Sequence, residues 1–282
     1  MEITVLSPYG FCMGVHRAIE MARKALREEG PLTMLGSLVH NEEVLSELSQ
    51  EGMEVREKEN PLDLILSIPE KSHVLFSAHG HPIAYEDICN LRKIRYFDAT
   101  CPYVQENLEA GLAYEGSILY IGIDGHDEST AFLANVPEAV FYDVKTKHWN
   151  PLKLKGRDLP VGIICQTTLG NDQIKEAVAD IHAFFPEATL LKGNCPSSKL
   201  RQENIEKLGG VDALIILGSQ DSANSKQLVR IGESRGIESF LCLGLAEVQK
   251  LDLSRKKKIA LGSGASVSEG VFQSVLTYLR SL

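Results

Sequence analysis

Short apolar runs rich in Val, Ile and Leu alternate along the chain with longer amphipathic stretches, the pattern of parallel strands joined by crossover helices. The fold class this predicts is α/β. Strands are expected at residues 3–6, 32–35, 73–77, 95–98, 116–121, 161–164, 189–191, 213–217, 239–242 and 258–261, with helices after most of them.

The pattern also repeats. Cys12, Cys101 and Cys195 each follow a strand-like run and open a helical one, reading CMGVHRAIEMARKAL, CPYVQENLEAGLAY and CPSSKLRQENIEKL, with separations of 89 and 94 residues. Two further registers align with the cysteines. Polar turns at His40, His126 and Asn224 lie 28, 25 and 29 residues after the preceding aligned Cys. His79, Thr167 and Ser266 lie 67, 66 and 71 residues after it, behind the strands VLFS, VGII and IALG. This period exceeds that of solenoid repeats, so three similar α/β domains about a pseudo-threefold axis are expected. They would span 1–98, 99–194 and 195–282, the last ending in a terminal helix at 271–282. In open α/β sheets ligands bind beyond the carboxyl ends of strands, and all nine aligned residues fall at strand-to-helix junctions, which predicts one shared site.

At 282 residues the chain can bury a sizeable core, and 44% hydrophobic with 24% charged residues is a globular composition. Its 29 Lys and Arg against 38 Asp and Glu give a net charge of −9, which argues against a sequence-independent hold on nucleic acid. No run approaches the roughly 18 apolar residues of a membrane span. The opening MEITVLSPYGFCMG lacks the basic and apolar regions of a secretory leader, so a cytoplasmic location is expected, where thiols stay reduced. Disulfides are then the less favoured use of the six cysteines. With no C-x-x-C or C-x-x-H pair, any metal site must gather distant residues. Three thiolates at one axis suit a sulfur-loving tetrahedral metal or an iron–sulfur cluster with one open corner, and a helix N-terminus favours the thiolate. Cys89, Cys165 and Cys242 lie outside the register and are expected to pack as small apolar residues.

Ordered along the chain are GFCMGVHRAI from Gly10, LVHNEEV from Leu38, SAHG from Ser77, DATCP from Asp98, GHDE from Gly125 and QTTL from Gln166. The Arg201–Gln202 pair, NS at Asn224 and GSGAS from Gly262 follow. This set resembles the hydroxymethylbutenyl diphosphate reductase family, the LytB-type iron–sulfur enzymes that complete the methylerythritol phosphate route to isoprenoids. The resemblance implies a trefoil of three α/β domains around a central [4Fe–4S] cluster held by Cys12, Cys101 and Cys195. It implies that the fourth iron takes the allylic hydroxyl of the substrate, and that two electrons and two protons remove this oxygen as water, giving isopentenyl and dimethylallyl diphosphates.

For the other residues the resemblance implies Glu128 as proton donor, with Thr167 relaying or orienting the proton at the hydroxyl. His40, His79, His126, Ser222, Asn224 and Ser266 would hold the diphosphate, helped by backbone N–H groups at helix N-termini. Imidazoles beside such an anion are expected to favour the protonated, doubly donating form. An electron donor such as ferredoxin or flavodoxin is implied as partner. His16, His73, His81, His148 and His182 are expected to be ordinary core or surface residues, and Trp149 to pack a connecting loop.

The chain departs from the family pattern around the expected pocket. Pro196, Ser197 and Ser198 stand where Ala-Thr is common, Ala223 replaces a second serine, Asp127 replaces a proline, and Val267 and Ser268 stand where a proline is usual. One lost hydrogen bond to a charged group is worth about 1.5 to 3 kcal/mol, enough to weaken binding without abolishing it. A paralogue using the same cluster on another small substrate, or a non-catalytic cluster- or zinc-binding sensor, are the alternatives. The set His40, His126 and Glu128 favours catalysis, since a sensor would not require it.

Overall fold

Among the described residues of the computed structural model (1–36, 38–39, 41–56, 60–154 and 160–282), twelve strands form three four-stranded sheets, with every strand pairing parallel. The strands are β1 Glu2–Val5, β2 Leu32–Leu35, β3 Met53–Val55, β4 His73–Phe76, β5 Arg95–Asp98 and β6 Ser117–Gly122. They continue with β7 Val140–Asp143, β8 Val161–Cys165, β9 Thr189–Lys192, β10 Ala213–Leu217, β11 Glu238–Cys242 and β12 Lys258–Ser263. All ten expected strands are present within a residue or two at each end; β3 and β7 were not expected. No helix among the described residues is long and apolar enough to cross a membrane.

The sheets run β3-β2-β4-β5, β7-β6-β8-β9 and β11-β10-β12-β1. Each therefore has the order second, first, third, fourth, and in the last sheet the fourth strand is β1. The segment 195–282 supplies three strands of its sheet, and the strand that opens the segment 1–98 supplies the other.

Two compact units are distinguished. The first comprises Met1–Val15, Thr168–Gly170 and Cys195–Leu282. Its sheet is covered on both faces, as the period of two along β10 requires. Ala213, Ile215 and Leu217 join a core with Phe272, Val275 and Leu279 of the helix Glu269–Ser281, while Leu214 and Ile216 join another with Ile205, Leu228 and Ile231. Phe272 is fully buried and stacks on Tyr9 at 4.1 Å; burying a side chain of this size stabilises by roughly 1.5–3 kcal/mol. Ser268, at a position where a proline is usual, caps this helix by accepting from the Val271 N–H at 3.2 Å.

The second unit, His16–Thr167 and Asn171–Asn194, holds the sheets of β2–β5 and β6–β9. Val74 and Phe76 of β4 pack with Leu64, Ile65 and Cys89, and Tyr120 of β6 packs with Phe132 and Ile164. Polar ties fix the strand ends from which the site is built. Arg17 donates to the carbonyls of Thr100 at 2.9 Å and Asp98 at 3.4 Å, and Asn107 donates to the Cys165 carbonyl at 2.9 Å.

Candidate functional site

Within every sheet the aligned residues follow equivalent strands. His126 and Asn224 follow first strands β6 and β10, His79, Thr167 and Ser266 follow third strands β4, β8 and β12, and Cys101, Cys195 and Cys12 follow fourth strands β5, β9 and β1. His40, expected after β2, lies outside the described residues.

Cys101 and Cys195 are the N-caps of the helices Pro102–Ala113 and Pro196–Glu206, and Cys12 directly precedes the helix Met13–Glu29. A proline at N1 enters both capped helices with its φ already helical. The Cys12 Sγ accepts from the Val15 N–H at 3.5 Å and the Cys195 Sγ from the Ser198 N–H at 3.4 Å, contacts that favour sulfur bearing negative charge. Ser198, one of the residues departing from the family pattern, also brings its hydroxyl within 3.3 Å of the Cys195 sulfur. No disulfide joins the cysteines, and these three are half-buried while Cys89, Cys165 and Cys242 are buried. Burial pushes the Cys89 and Cys242 thiols up to about 11 and that of Cys165 higher still, which keeps them protonated and inert. The donor chemistry of Cys12, Cys101 and Cys195 thus fits a thiolate-ligated group, and that of the other three does not. Among the described residues no three His, Cys, Asp or Glu side chains form a group able to hold a metal ion.

In the second unit, His126 caps the helix Asp127–Asn135, its Nδ1 accepting from the Glu128 N–H at 3.2 Å. With Nδ1 engaged in that cap, Nε2 is the ring nitrogen of His126 left to face a ligand. Glu128 is only 3% exposed, not the solvated first-turn acid usual at a helix start. Its Oε1 accepts from the Thr167 N–H at 2.8 Å and its Oε2 from the Thr167 hydroxyl at 2.7 Å. Burial raises its carboxyl to about 7 against the opposing pull of these bonds. Gln166, fully buried, holds the surrounding turn through its Oε1, which accepts from the Ile123 N–H at 2.9 Å and the Ser129 hydroxyl at 3.2 Å. The His79 ring meets that of His126 edge-on at 5.8 Å, and its Nδ1 stands 4.0 Å from Asp127 Oδ2.

In the first unit, Ser222 caps the helix Ala223–Ser234 by accepting from the Ser225 N–H at 3.2 Å, which leaves its own hydroxyl proton to donate. Asn224 is 4% exposed, and among the described residues neither its amide nitrogen nor its amide oxygen has a hydrogen-bond partner. Ser225, the next serine after Ala223, is fully buried. Its Oγ is buried without a partner in the notch between Gly218 and Gly264, where a Cβ on either glycine would stand 2.2 Å from it. Ser266 is buried beyond β12. Arg201 donates to the carbonyls of Pro8 and Gly10 at 2.8 Å and of Ser263 at 2.9 Å. Burial lowers the Arg201 pKa, and the Cys12 and Cys195 sulfurs oppose that shift. The Cys12 N–H donates to the Ala265 carbonyl at 2.9 Å, so the arginine and this bond together fix the Cys12 loop.

Two of these roles were not predicted from composition or spacing: Arg201 as a clamp on carbonyls, and Gln166 as a lock on the turn before Glu128. Both fall within matched motifs, but neither motif states its mechanics.

A family model described as LytB protein matches residues 3–280. The chain is 31% identical over 288 residues to 4-hydroxy-3-methylbut-2-enyl diphosphate reductase 2 of Burkholderia mallei, spanning 100% of this chain and 86% of that protein. It is 32% identical over 292 residues to 4-hydroxy-3-methylbut-2-enyl diphosphate reductase of Aeromonas hydrophila subsp. hydrophila, spanning 100% and 92%. Among solved structures it is similar to the E-1-hydroxy-2-methyl-but-2-enyl-4-diphosphate reductase from Plasmodium falciparum, with a TM-score of 0.85 and 27% identity over 99% of this chain and 87% of that one.

Proposed function

The chain belongs to the LytB protein family and is an oxidoreductase, and we propose that it removes the hydroxyl of 4-hydroxy-3-methylbut-2-enyl diphosphate reductively, giving isopentenyl and dimethylallyl diphosphates, the last step of the methylerythritol phosphate pathway. The observation that carries this reading is the buried Glu128 carboxyl, bonded through both oxygens to Thr167 and raised to about 7. Loss of hydroxide from an allylic carbon needs an acid that keeps its proton near neutrality.

Cys12, Cys101 and Cys195 would hold a [4Fe–4S] cluster, which when bound supplies the electrons and a Lewis-acidic iron for the substrate oxygen. A reducing partner, ferredoxin or flavodoxin, completes the electron supply. Two electrons and two protons enter per turnover; the C–O bond breaks, one proton leaves in water and the other ends on the allylic carbon. Glu128 gives its proton to the departing oxygen, and Thr167 holds the carboxyl in line. The diphosphate is bound by Nε2 of His126, by His79 and His40, and by Ser222, Asn224 and Ser266. The unpaired amide of Asn224 supports this assignment, since a buried polar group without a partner is rare unless a ligand completes it.

Protein reconstituted anaerobically with iron and sulfide, then supplied with the diphosphate and a reductant, is expected to form both isomers. An intact cluster with no product would sink this reading in favour of a different small substrate.

A further inference from the structure

A cavity of about 200 Å3 in the second unit, lined in part by Glu128, has so far been given no role. His81, Glu86, Asp98, Thr100, Tyr120 and Glu128 are among the residues that line it. Of its lining residues Gln105 and Leu112 are exposed to solvent, whereas Glu128 and Tyr120 are buried. Since a water takes up about 30 Å3 of liquid, the space is large enough for several.

The walls carry polar atoms that water would satisfy. The Thr100 hydroxyl is buried without a hydrogen-bond partner, and so is His81 Nδ1. The His81 ring lies flat on Phe76 at 3.8 Å, its Nε2 is 3.1 Å from Glu86 Oε1, and its Nδ1 stands 3.9 Å from Asp98 Oδ1. Glu86 in turn accepts from the Tyr96 hydroxyl at 2.7 Å. The backbone around His81 is latched to the helix that carries Glu128: Asn135 donates to the His81 carbonyl at 2.9 Å and accepts from the Ile83 N–H at 2.7 Å.

We infer that this cavity is a proton-uptake route, in which His81, partnered by Glu86, takes a proton from solvent and passes it through water beside Thr100 to the Glu128 carboxylate. The inference rests on Glu128 acting as the acid of the proposed reaction, which leaves it deprotonated once per turnover. The proton lost to the departing oxygen is replaced from the cavity that Glu128 lines, and no electron moves. Glu86 from the helix Ala84–Leu91 and Asp98 from β5 face His81, with Arg17 held against the Asp98 and Thr100 backbone. Tyr120 from β6 and Cys165 from β8 interact with Glu128, and burial raises both, so neither competes as a proton source. His81 is on this account a positioning and relay residue that does not touch substrate.

Rapid mixing into D2O, followed through the infrared carboxyl band that Glu128→Gln abolishes, reads proton exchange at Glu128 without turnover. His81→Phe, which retains the stacked ring, is expected to slow this exchange at least tenfold, and imidazole added to the solvent to restore it. In steady state the same variant is expected to turn over more slowly and to gain a dependence on buffer concentration that the unmodified protein lacks. Thr100→Val, which removes an unpaired hydroxyl, is expected to slow exchange as well and carries the test if His81→Phe does not fold. Exchange as fast as in the unmodified protein overturns the relay. Absence of product from the unmodified protein, with exchange slowed in the variants, overturns the proposed reaction and leaves the route standing.

Discussion

In the second unit both oxygens of Glu128 are bonded, whereas in the first unit Asn224, almost equally buried, has neither amide atom paired. The acid end holds its geometry with internal bonds, so it is organised before any ligand arrives. The anion end leaves polar capacity open, a condition tolerated in a folded interior only where something else completes it. Under the proposed reaction the first arrangement would hold a proton and the second would receive a charge.

The largest expected effect falls on the acid end. Glu128→Gln keeps the shape but removes the acid, and turnover is expected to fall by about 100-fold or more, with the protein still folded by circular dichroism. The same variant isolates a pH effect on stability. The folded-state pKa of Glu128 is raised to about 7 from an ordinary value near 4.5, so its contribution is fully present below about 4.5 and is lost as pH rises through 7. Over that window the stability of Glu128→Gln relative to the parent is expected to rise by about 3 kcal/mol, read from denaturant melts at pH 4.5 and pH 8. A flat difference would mean that the carboxyl is not buried as described.

Asn224→Ala sharpens the contrast from the other side. It is expected to raise KM roughly ten- to hundred-fold with a smaller change in kcat, while thermal stability stays level or rises because two unpaired polar atoms are gone. Loss of stability would show that the amide has a structural partner. Thr167→Val removes one of the two bonds that restrain the Glu128 carboxyl, so the pH at which turnover falls is expected to move upward from about 7. The smallest effect lies away from both ends: Ser268→Ala removes the cap of the terminal helix and is expected to destabilise by about 1 kcal/mol in thermal melts.

The strands that the sequence announces are those whose apolar runs are long or flanked by clear turns, such as β10 and β12. β3 has three residues with Glu54 at its centre, and it lies at a sheet edge where one side needs no apolar cover. β7 is also an edge strand, and it runs straight into Asp143, which organises a turn by accepting from the Thr146 hydroxyl at 2.6 Å. β3 leaves no signature of a strand buried on both faces. β7 does carry an apolar run, with Val140 and Tyr142 buried and Phe141 packed against the core of Tyr120 and Phe132, but within the strand it is only three residues long before Asp143. The aligned registers were legible because equivalent strands end at equivalent distances from each cysteine. The clamp of Arg201 and the bonds of Gln166 were not, since each depends on a backbone group brought near by folding rather than on a neighbour in sequence.

β1 completes a sheet whose other strands, β10, β11 and β12, follow it by more than 200 residues, pairing Glu2 through Val5 with Lys258 through Leu261. At about 5–20 residues per second of synthesis, that strand waits on the order of ten seconds to a minute for its partner to emerge. The loop bearing Cys12 is fastened by the Ala265 carbonyl and by Arg201 through Ser263, so it takes its final form only after residue 265 has been made. The position of Cys12 is therefore set by residues more than 180 positions further along the chain. Any group that Cys12 helps to hold, as proposed above, would then be completed only once residue 265 has joined the fold.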